Sequence, residues 1–317
     1  MIVTVTLNPS LDRTLRVQSL RRGAVQRALD STTDPGGKGV NVARALSAHG
    51  AEVLTVLPVS GPTGDTLVGQ LSSARVEFVA VPTGGRTRAN VSVVEPDGTT
   101  TKINEPGVAL TPAELAAVTA AVIDRVRPGD WVVTAGSVAP GQDPEVYATI
   151  GRAVHEAGAQ WAVDTSGDAL AASLLARPDL VKPNREELGE VLGRDLATLE
   201  QVLGACRALV VDGASTVLCS LGADGALLVD GDGAWHATGP RVQVENTVGA
   251  GDALLAGHLY GVTTTGTPLA GLRTGVAWAT AAVATPGTGV PAPDRVRPDD
   301  VHITEAAAAT LTHLENA

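Results

Sequence analysis

The string NTVGAGDALLAGHL (246–259) sets Thr247, Gly249, Ala250 and Gly251 ahead of an apolar, helix-forming run, with Asp252 in its first turn. Small residues let a ligand approach bare backbone. The free N–H groups at a helix start, with the positive end of the helix dipole behind them, suit an anion such as a phosphoryl group. A carboxylate there would repel phosphate rather than hold it, so the task that fits Asp252 is to accept a proton from an attacking hydroxyl. The same pattern also describes an ordinary helix start in which the aspartate satisfies backbone donors.

The lysines weigh on that choice. The chain's cations are mostly arginine, and its three lysines, Lys38, Lys102 and Lys182, stand in GGKGVN, TKINEPG and VKPNREE. A compact ammonium kept only in Gly-, Pro- or Asn-marked segments reads as a point charge wanted at a site. GGKGVNVARAL (36–46) is neither a Walker loop, since Gly39 follows Lys38, nor a Gly-x-Gly-x-x-Gly dinucleotide fingerprint. Gly36 and Gly37 admit a ligand against the backbone, where Lys38 and Asn41 offer polar side chains. In KPNREEL, Asn184 and Glu187 are three residues apart on one helix face, a spacing that reaches a magnesium ion through its waters and equally makes a helix cap. Ser220, Gly222 and Gly225 span a strand, turn and strand on which a nucleotide could rest, or which form a plain hairpin. The six histidines form no ligand spacing, and most read as surface or helix residues. Cys206 and Cys219 make neither a metal spacing nor a disulfide framework, which reads as two small buried hydrophobes in a reducing cytosol.

These residues need a scaffold. At 317 residues, 44% apolar but only 2% aromatic, the chain has a core of Val, Leu, Ala and Ile, as suits a sheet covered by helices. A net charge of −11 without any basic tract argues against nucleic acid or an anionic membrane surface, and no stretch approaches a membrane span. MIVTVTLNPS reads as a buried strand rather than a signal peptide. Strands are predicted at 2–7, 53–59, 76–81, 131–134, 160–164, 180–182, 209–211 and 216–219. Helices are predicted at 38–48, 63–73, 111–126, 143–157, 184–192, 198–206, 250–263 and 268–284, with a closing helix from about 304. The alternation predicts an α/β fold with a mostly parallel central sheet between helices. Residues 12–20 and a hairpin over 88–106 turning at EPDG lack helices to cover them, and predict a small antiparallel sheet standing off the main one as a lid or dimer surface.

In order, NPSLDRT, GGKGVNVARAL, TKINEPG, GSVAPG, DTSGDAL, KPNREEL, SLGADGALLV and NTVGAGDALLAG resemble the ribokinase-like, PfkB-type carbohydrate kinases, most closely the branch acting on phosphorylated hexoses. The resemblance covers essentially the whole chain and implies one ribokinase-like three-layer domain over 1–317, with a β-sheet lid from about 12–33 and 86–106. It implies Asp252 as catalytic base and Gly249, Ala250 and Gly251 as the anion hole. Asp12, Gly37 and Asn41 would hold sugar hydroxyls, and Lys38, Arg88, Asn90 and Ser137, with Lys102 and Arg27 from the lid, the phosphate already on the substrate. ATP would lie along Ser220, Gly222 and Gly225 by Thr247, with Lys182 near its phosphates and Asn184 and Glu187 organising Mg2+. The chain departs from the common GSLPPG string at GSVAPG, and carries Asn246 where many relatives have Asp. The expectation is a cytoplasmic sugar-phosphate kinase that dimerises through its lid.

Overall fold

The computed structural model describes residues 1–285 and 290–306. The chain runs β1 (Ile2–Val5), β2 (Ser10–Arg16), β3 (Asp30–Gly36), α1 (Lys38–Ala48), β4 (Val53–Val59), α2 (Gly61–Ser73), β5 (Glu77–Pro82), β6 (Arg88–Val94), β7 (Thr100–Asn104) and α3 (Pro112–Ile123). It continues with β8 (Trp131–Ala135), α4 (Val146–Glu156), β9 (Gln160–Asp164), α5 (Gly167–Leu175), β10 (Leu180–Val181), α6 (Arg185–Leu192), α7 (Leu199–Asp212) and β11 (Thr216–Ser220). The last elements are β12 (Ala226–Asp230), β13 (Ala234–Thr238), α8 (Ala250–Thr265), α9 (Pro268–Val283) and β14 (His302–Glu305).

Ten strands form the main sheet in the order β14-β13-β12-β11-β10-β9-β8-β1-β4-β5, parallel from β11 to β5 and antiparallel from β11 to β14. Alternate side chains of β1 face opposite layers, as strand geometry requires. Val3 and Val5 join Val122 of α3, Ile150 of α4, Leu170 of α5, Leu188 of α6 and Leu203 of α7. Ile2 joins Leu46 of α1, Leu71 of α2, Leu255 of α8 and Trp278 of α9. Fully burying such a side chain contributes about 1.5–3 kcal/mol, and it is the two apolar layers that hold the sheet between its helices.

Successive strands spread from β1 first toward β5 and then, from β8 onward, the opposite way. The order therefore reverses between β1 and β8, and a crevice opens there at the carboxyl ends of the strands. Beside it stands a four-stranded sheet in the order β3-β2-β6-β7. Its β6–β7 hairpin turns at Glu95–Gly98, whose terminal backbone groups pair at 3.0 Å, but β2 and β6 run parallel, because the long excursion through α1, β4, α2 and β5 brings the chain back to the same end. The expectation of a wholly antiparallel lid is corrected accordingly.

Three further expectations change. Residues 209–211 are helical, forming the end of α7, where Leu209 is buried against the core. The segment from 302 is an edge strand paired with β13, so a helix beginning at 304 is not formed; its continuation at 307–317 lies outside the described residues. Among the histidines, His155 and His258 lie in helices and His302 is exposed, as expected, whereas His236 departs from that reading, buried in β13.

Candidate active site

Helices α3, α6, α7 and α9 open on Thr111, Asn184, Thr198 and Thr267, whose side chains accept a backbone N–H of the first turn. Helices α1 and α8 instead open on Gly37 and Gly249 with no side-chain cap. At Gly249 the backbone is left-handed, φ 82°, a conformation that glycine adopts without a Cβ penalty. Among the described residues the N–H groups of Gly251 and Asp252 have no backbone or side-chain acceptor at the helix end, the condition for holding an anion.

Asp252 is buried beside them, 8% exposed, and its Oδ2 accepts from Asn41 Nδ2 at 2.8 Å. Burial, reinforced by the charge of Asp164, pushes its carboxyl up to about 6, while the Asn41 hydrogen bond and the lysines oppose the rise. That value leaves it ionised at neutral pH yet basic enough to take a proton.

The residue that organises the rest is Asp164, at the end of β9. Its side chain is fully buried, with Oδ1 accepting from Lys38 Nζ at 2.8 Å and Oδ2 lying 3.2 Å from Lys182 Nζ. Burial alone would raise its pKa, but Lys182 and Lys38 outweigh burial and hold it below the usual carboxylate value. Lys38 also donates to Glu187 Oε1 at 3.1 Å. Burial disfavours its charge, but Asp164 and Glu187 overcome that and fix the ammonium in its protonated form. Lys38 therefore has two carboxylate partners within the fold itself. The local string DTSGDAL does not by itself assign Asp164 a role. The signal available was an acidic residue closing an apolar strand.

Asn184 and Glu187 make a reciprocal helix cap: Asn184 Oδ1 accepts from the Glu187 N–H at 2.8 Å and Glu187 Oε2 from the Asn184 N–H at 2.9 Å. With Glu187 Oε1 on Lys38, both side chains are engaged, and what they retain for magnesium is the second lone pairs of their oxygens, suited to contact through bound waters. Among the described residues no group of three or more His, Cys, Asp or Glu side chains is arranged to hold a metal.

In the four-stranded sheet, Asp12 Oδ1 accepts from Ser10 Oγ at 2.7 Å and Asn90 Nδ2 at 2.9 Å. Gly36 lies against that carboxylate so closely that a Cβ would overlap it. Arg88 Nη1 donates to the Glu105 carbonyl at 3.0 Å, while its buried Nε and the buried Asn90 Oδ1 have no hydrogen-bond partner among the described residues. Orphaned buried polar atoms at a cleft mark where a ligand's polar groups belong. Ser137 is exposed just beyond β8, and Lys182 approaches Gly251, where a Cβ would come within 3.4 Å of its Nζ. Ser220 ends β11 and bridges to Asn184, with Gly222 and Gly225, both at positive φ, in the turn that follows. Thr247 is exposed ahead of α8. Lys102, on the edge strand β7, and Arg27, between β2 and β3, are both exposed and join none of these contacts. An open cavity of about 580 Å³ lined by Trp235, Leu269, Arg273 and Glu305 contains none of the candidate residues, whereas a smaller one is lined by Asn41 and Gly249.

A doubly wound sheet with its crevice at the strand ends, two uncapped glycine-started helices and a small sheet facing them define a ribokinase-like α/β kinase. Residues 5–295 match the model of the pfkB family of carbohydrate kinases, and the chain belongs to that family. It is 40% identical over 299 residues to the 1-phosphofructokinase of Rhodobacter capsulatus, covering 93% of this chain and 94% of the relative. It is 36% identical over 266 residues to the 1-phosphofructokinase of Escherichia coli K12, covering 82% and 84%. Among solved structures, phosphofructokinase-2 from Escherichia coli in complex with potassium superposes with a TM-score of 0.88 at 30% identity over 100% of this chain and 99% of the other. Ribokinase of Arabidopsis thaliana complexed with ribose and ATP, at 21% identity and TM-score 0.73 over 93% and 96%, shares the fold.

Proposed function

We propose that the chain phosphorylates the 6-hydroxyl of fructose 1-phosphate with ATP, giving fructose 1,6-bisphosphate and ADP. The observation that carries this reading is the buried Asp252 carboxylate, pushed up to about 6 and lying in the uncapped first turn of α8. The bond from O6 to the γ-phosphorus forms as the bond to the ADP oxygen breaks. The O6 proton passes to Asp252, and the N–H groups of the Gly249–Gly251 turn take up charge on the transferring group. Asp12, Gly37 and Asn41 orient the sugar; Lys38, Arg88, Asn90 and Ser137 meet its phosphate, with Lys102 and Arg27 from the lid. ATP lies along Ser220, Gly222 and Gly225 beside Thr247, with Lys182 at its phosphates. Asn184 and Glu187 would hold, through bound waters, the magnesium that accompanies ATP, which would supply neutralisation of phosphate charge. Closure of the lid segments, about 12–33 and 86–106, excludes water, a competing acceptor.

A second reading, phosphorylation of fructose 6-phosphate, is supported by the likeness to phosphofructokinase-2 from Escherichia coli in complex with fructose-6-phosphate, at 29% identity and TM-score 0.84. Tagatose 6-phosphate is a third acceptor of the same chemistry. Parallel assays of ADP release with the three hexose phosphates test the assignment. Highest kcat/KM on fructose 1-phosphate is expected; preference for a 6-phosphate would overturn it, and no ADP release with any of them would leave a non-catalytic sugar-phosphate sensor.

The same reading places the protein in the cytoplasm as a homodimer. Two free buried cysteines suit a reducing compartment. The lid sheet ends on unpaired edges at β3 and β7 and exposes Leu29 and Ile103, 69% and 62% accessible, which a second lid would cover.

A further inference from the structure

Two buried hydroxyls converge on one carbonyl at the floor of the crevice. Tyr147 Oη, from the first turn of α4, donates to the Gly136 carbonyl oxygen at 3.1 Å, and Thr165 Oγ1, just beyond β9, donates to the same oxygen at 2.9 Å. Tyr147 is fully buried and Thr165 is 2% exposed, so water does not compete for either. The Gly136 N–H is fixed as well, donating to the Asp164 carbonyl at 2.9 Å. At φ 110° Gly136 holds a backbone conformation that side-chain-bearing residues rarely adopt. Both lone pairs of the carbonyl and the preceding N–H are thus engaged at a corner that no other residue type fits well.

A peptide unit is planar and trans, so its C=O and N–H point in opposite directions. With the Gly136 carbonyl drawn down between Tyr147 and Thr165, the N–H of the same peptide, which belongs to Ser137, must point up and away from the core. That N–H has no hydrogen-bond partner among the described residues, and Ser137 itself is exposed. A Cβ on Gly136 would lie 3.9 Å from the Lys38 backbone nitrogen, which places this corner over the uncapped start of α1.

We infer that Tyr147 and Thr165 are positioning residues that, by clamping the Gly136 carbonyl, aim the Ser137 N–H and hydroxyl together at the phosphate of the substrate. The inference rests on the reading of Ser137 as a substrate contact, and neither hydroxyl touches substrate itself. A core-packing role would also give each hydroxyl an acceptor, but it would not require both to share one oxygen whose peptide partner is a bare donor facing the crevice. Either hydroxyl alone can hold the carbonyl, so the peptide is free to rotate only when both are gone.

The test is steady-state kinetics of Tyr147→Phe, Thr165→Val and the double variant, on whichever hexose phosphate the wild-type protein turns over best, with Ser137→Ala alongside. Each single clamp variant is expected within about threefold of wild type. The double variant is expected to raise the sugar-phosphate KM at least tenfold, with kcat within about threefold and the ATP KM unchanged. Ser137→Ala, which keeps the N–H, is expected to raise the same KM less than the double variant. An unchanged sugar-phosphate KM in the double variant overturns the clamp, whatever Ser137→Ala does. So does an equal loss of affinity for ATP and sugar phosphate, which would signify a general loosening of the core. Failure of the substrate reading shows separately, as wild-type turnover that prefers another acceptor or as a sugar-phosphate KM indifferent to Ser137→Ala.

Discussion

Asn41 Nδ2 donates to Asp252 Oδ2 across 2.8 Å, joining the helix that follows the glycine-lysine turn to the first turn of α8. The bond favours the ionised carboxylate and opposes the upward push of burial and of Asp164. Replacing Asn41 by Leu removes that opposition, so the Asp252 pKa should rise further and the acid limb of the kcat profile should move to higher pH. Turnover at pH 6.5 should then fall much more than at pH 8. A parallel drop at both values would mean that Asn41 acts on sugar binding alone.

Asp252→Asn tests the proton acceptor directly. Loss of a general base typically costs about 10² to 10⁴-fold in rate, and because the amide keeps the shape of the carboxylate, the sugar-phosphate KM should stay near its wild-type value. Normal turnover would remove Asp252 from the chemistry.

The same substitution has a thermodynamic signature. A carboxyl whose folded pKa of about 6 lies above the ordinary 3.8 is more easily protonated in the fold, so its favourable contribution is complete below 3.8 and is lost as pH rises through 6. At pH 8 the buried charge then costs about 3 kcal/mol, from roughly two pKa units at 1.36 kcal/mol each. Asp252→Asn is therefore expected to raise the unfolding midpoint in urea at pH 8 and to leave it nearly unchanged at pH 4, a less active but more stable protein.

His258 provides a second pH dependence, of opposite sign. It is buried between α8 and α9 with Nδ1 lacking a hydrogen-bond partner among the described residues, and burial pushes its pKa down from 6.5 to about 4. The unfolded chain binds a proton that the fold refuses, so stability is complete above 6.5 and is lost as pH falls toward 4, in total about 3 kcal/mol. Replacement by Leu should flatten the fall in urea midpoint between pH 7 and pH 5.

The elements and the uncapped glycine start of α8 are legible in the sequence because each is written locally. The β1 run IVTV and the β8 run WVVTA are buried strands, and the glycine-rich string before an apolar helix marks the uncapped start of α8 at Gly249. Leu209–Val211 misleads for the same reason: the β-branched run suggests a strand, but the start of α7 is capped by Thr198 and its apolar side packs on the sheet, so tertiary context overrides propensity. Asp164 is not legible, since it acquires its role from a lysine 126 residues away. Nor is the clamp on Gly136, where Tyr147 and Thr165 meet only because β8 and β9 are neighbours in the sheet.

Lys38 connects these two kinds of residue. Its ammonium is held by Asp164 at 2.8 Å and Glu187 at 3.1 Å, although the sequence reading assigns it to the sugar phosphate. If the ammonium serves the phosphate, Lys38→Met should raise the sugar-phosphate KM by about tenfold or more, since a hydrogen bond to a charged group is worth roughly 1.5–3 kcal/mol. The ATP KM should rise less. Lys38→Arg should not restore binding, because a planar guanidinium cannot reproduce the compact charge that two carboxylates share. A sugar-phosphate KM unmoved by Lys38→Met, with a lowered thermal midpoint, would make the lysine a counter-ion for Asp164 and Glu187, and would leave Arg88 as the principal cation for the substrate.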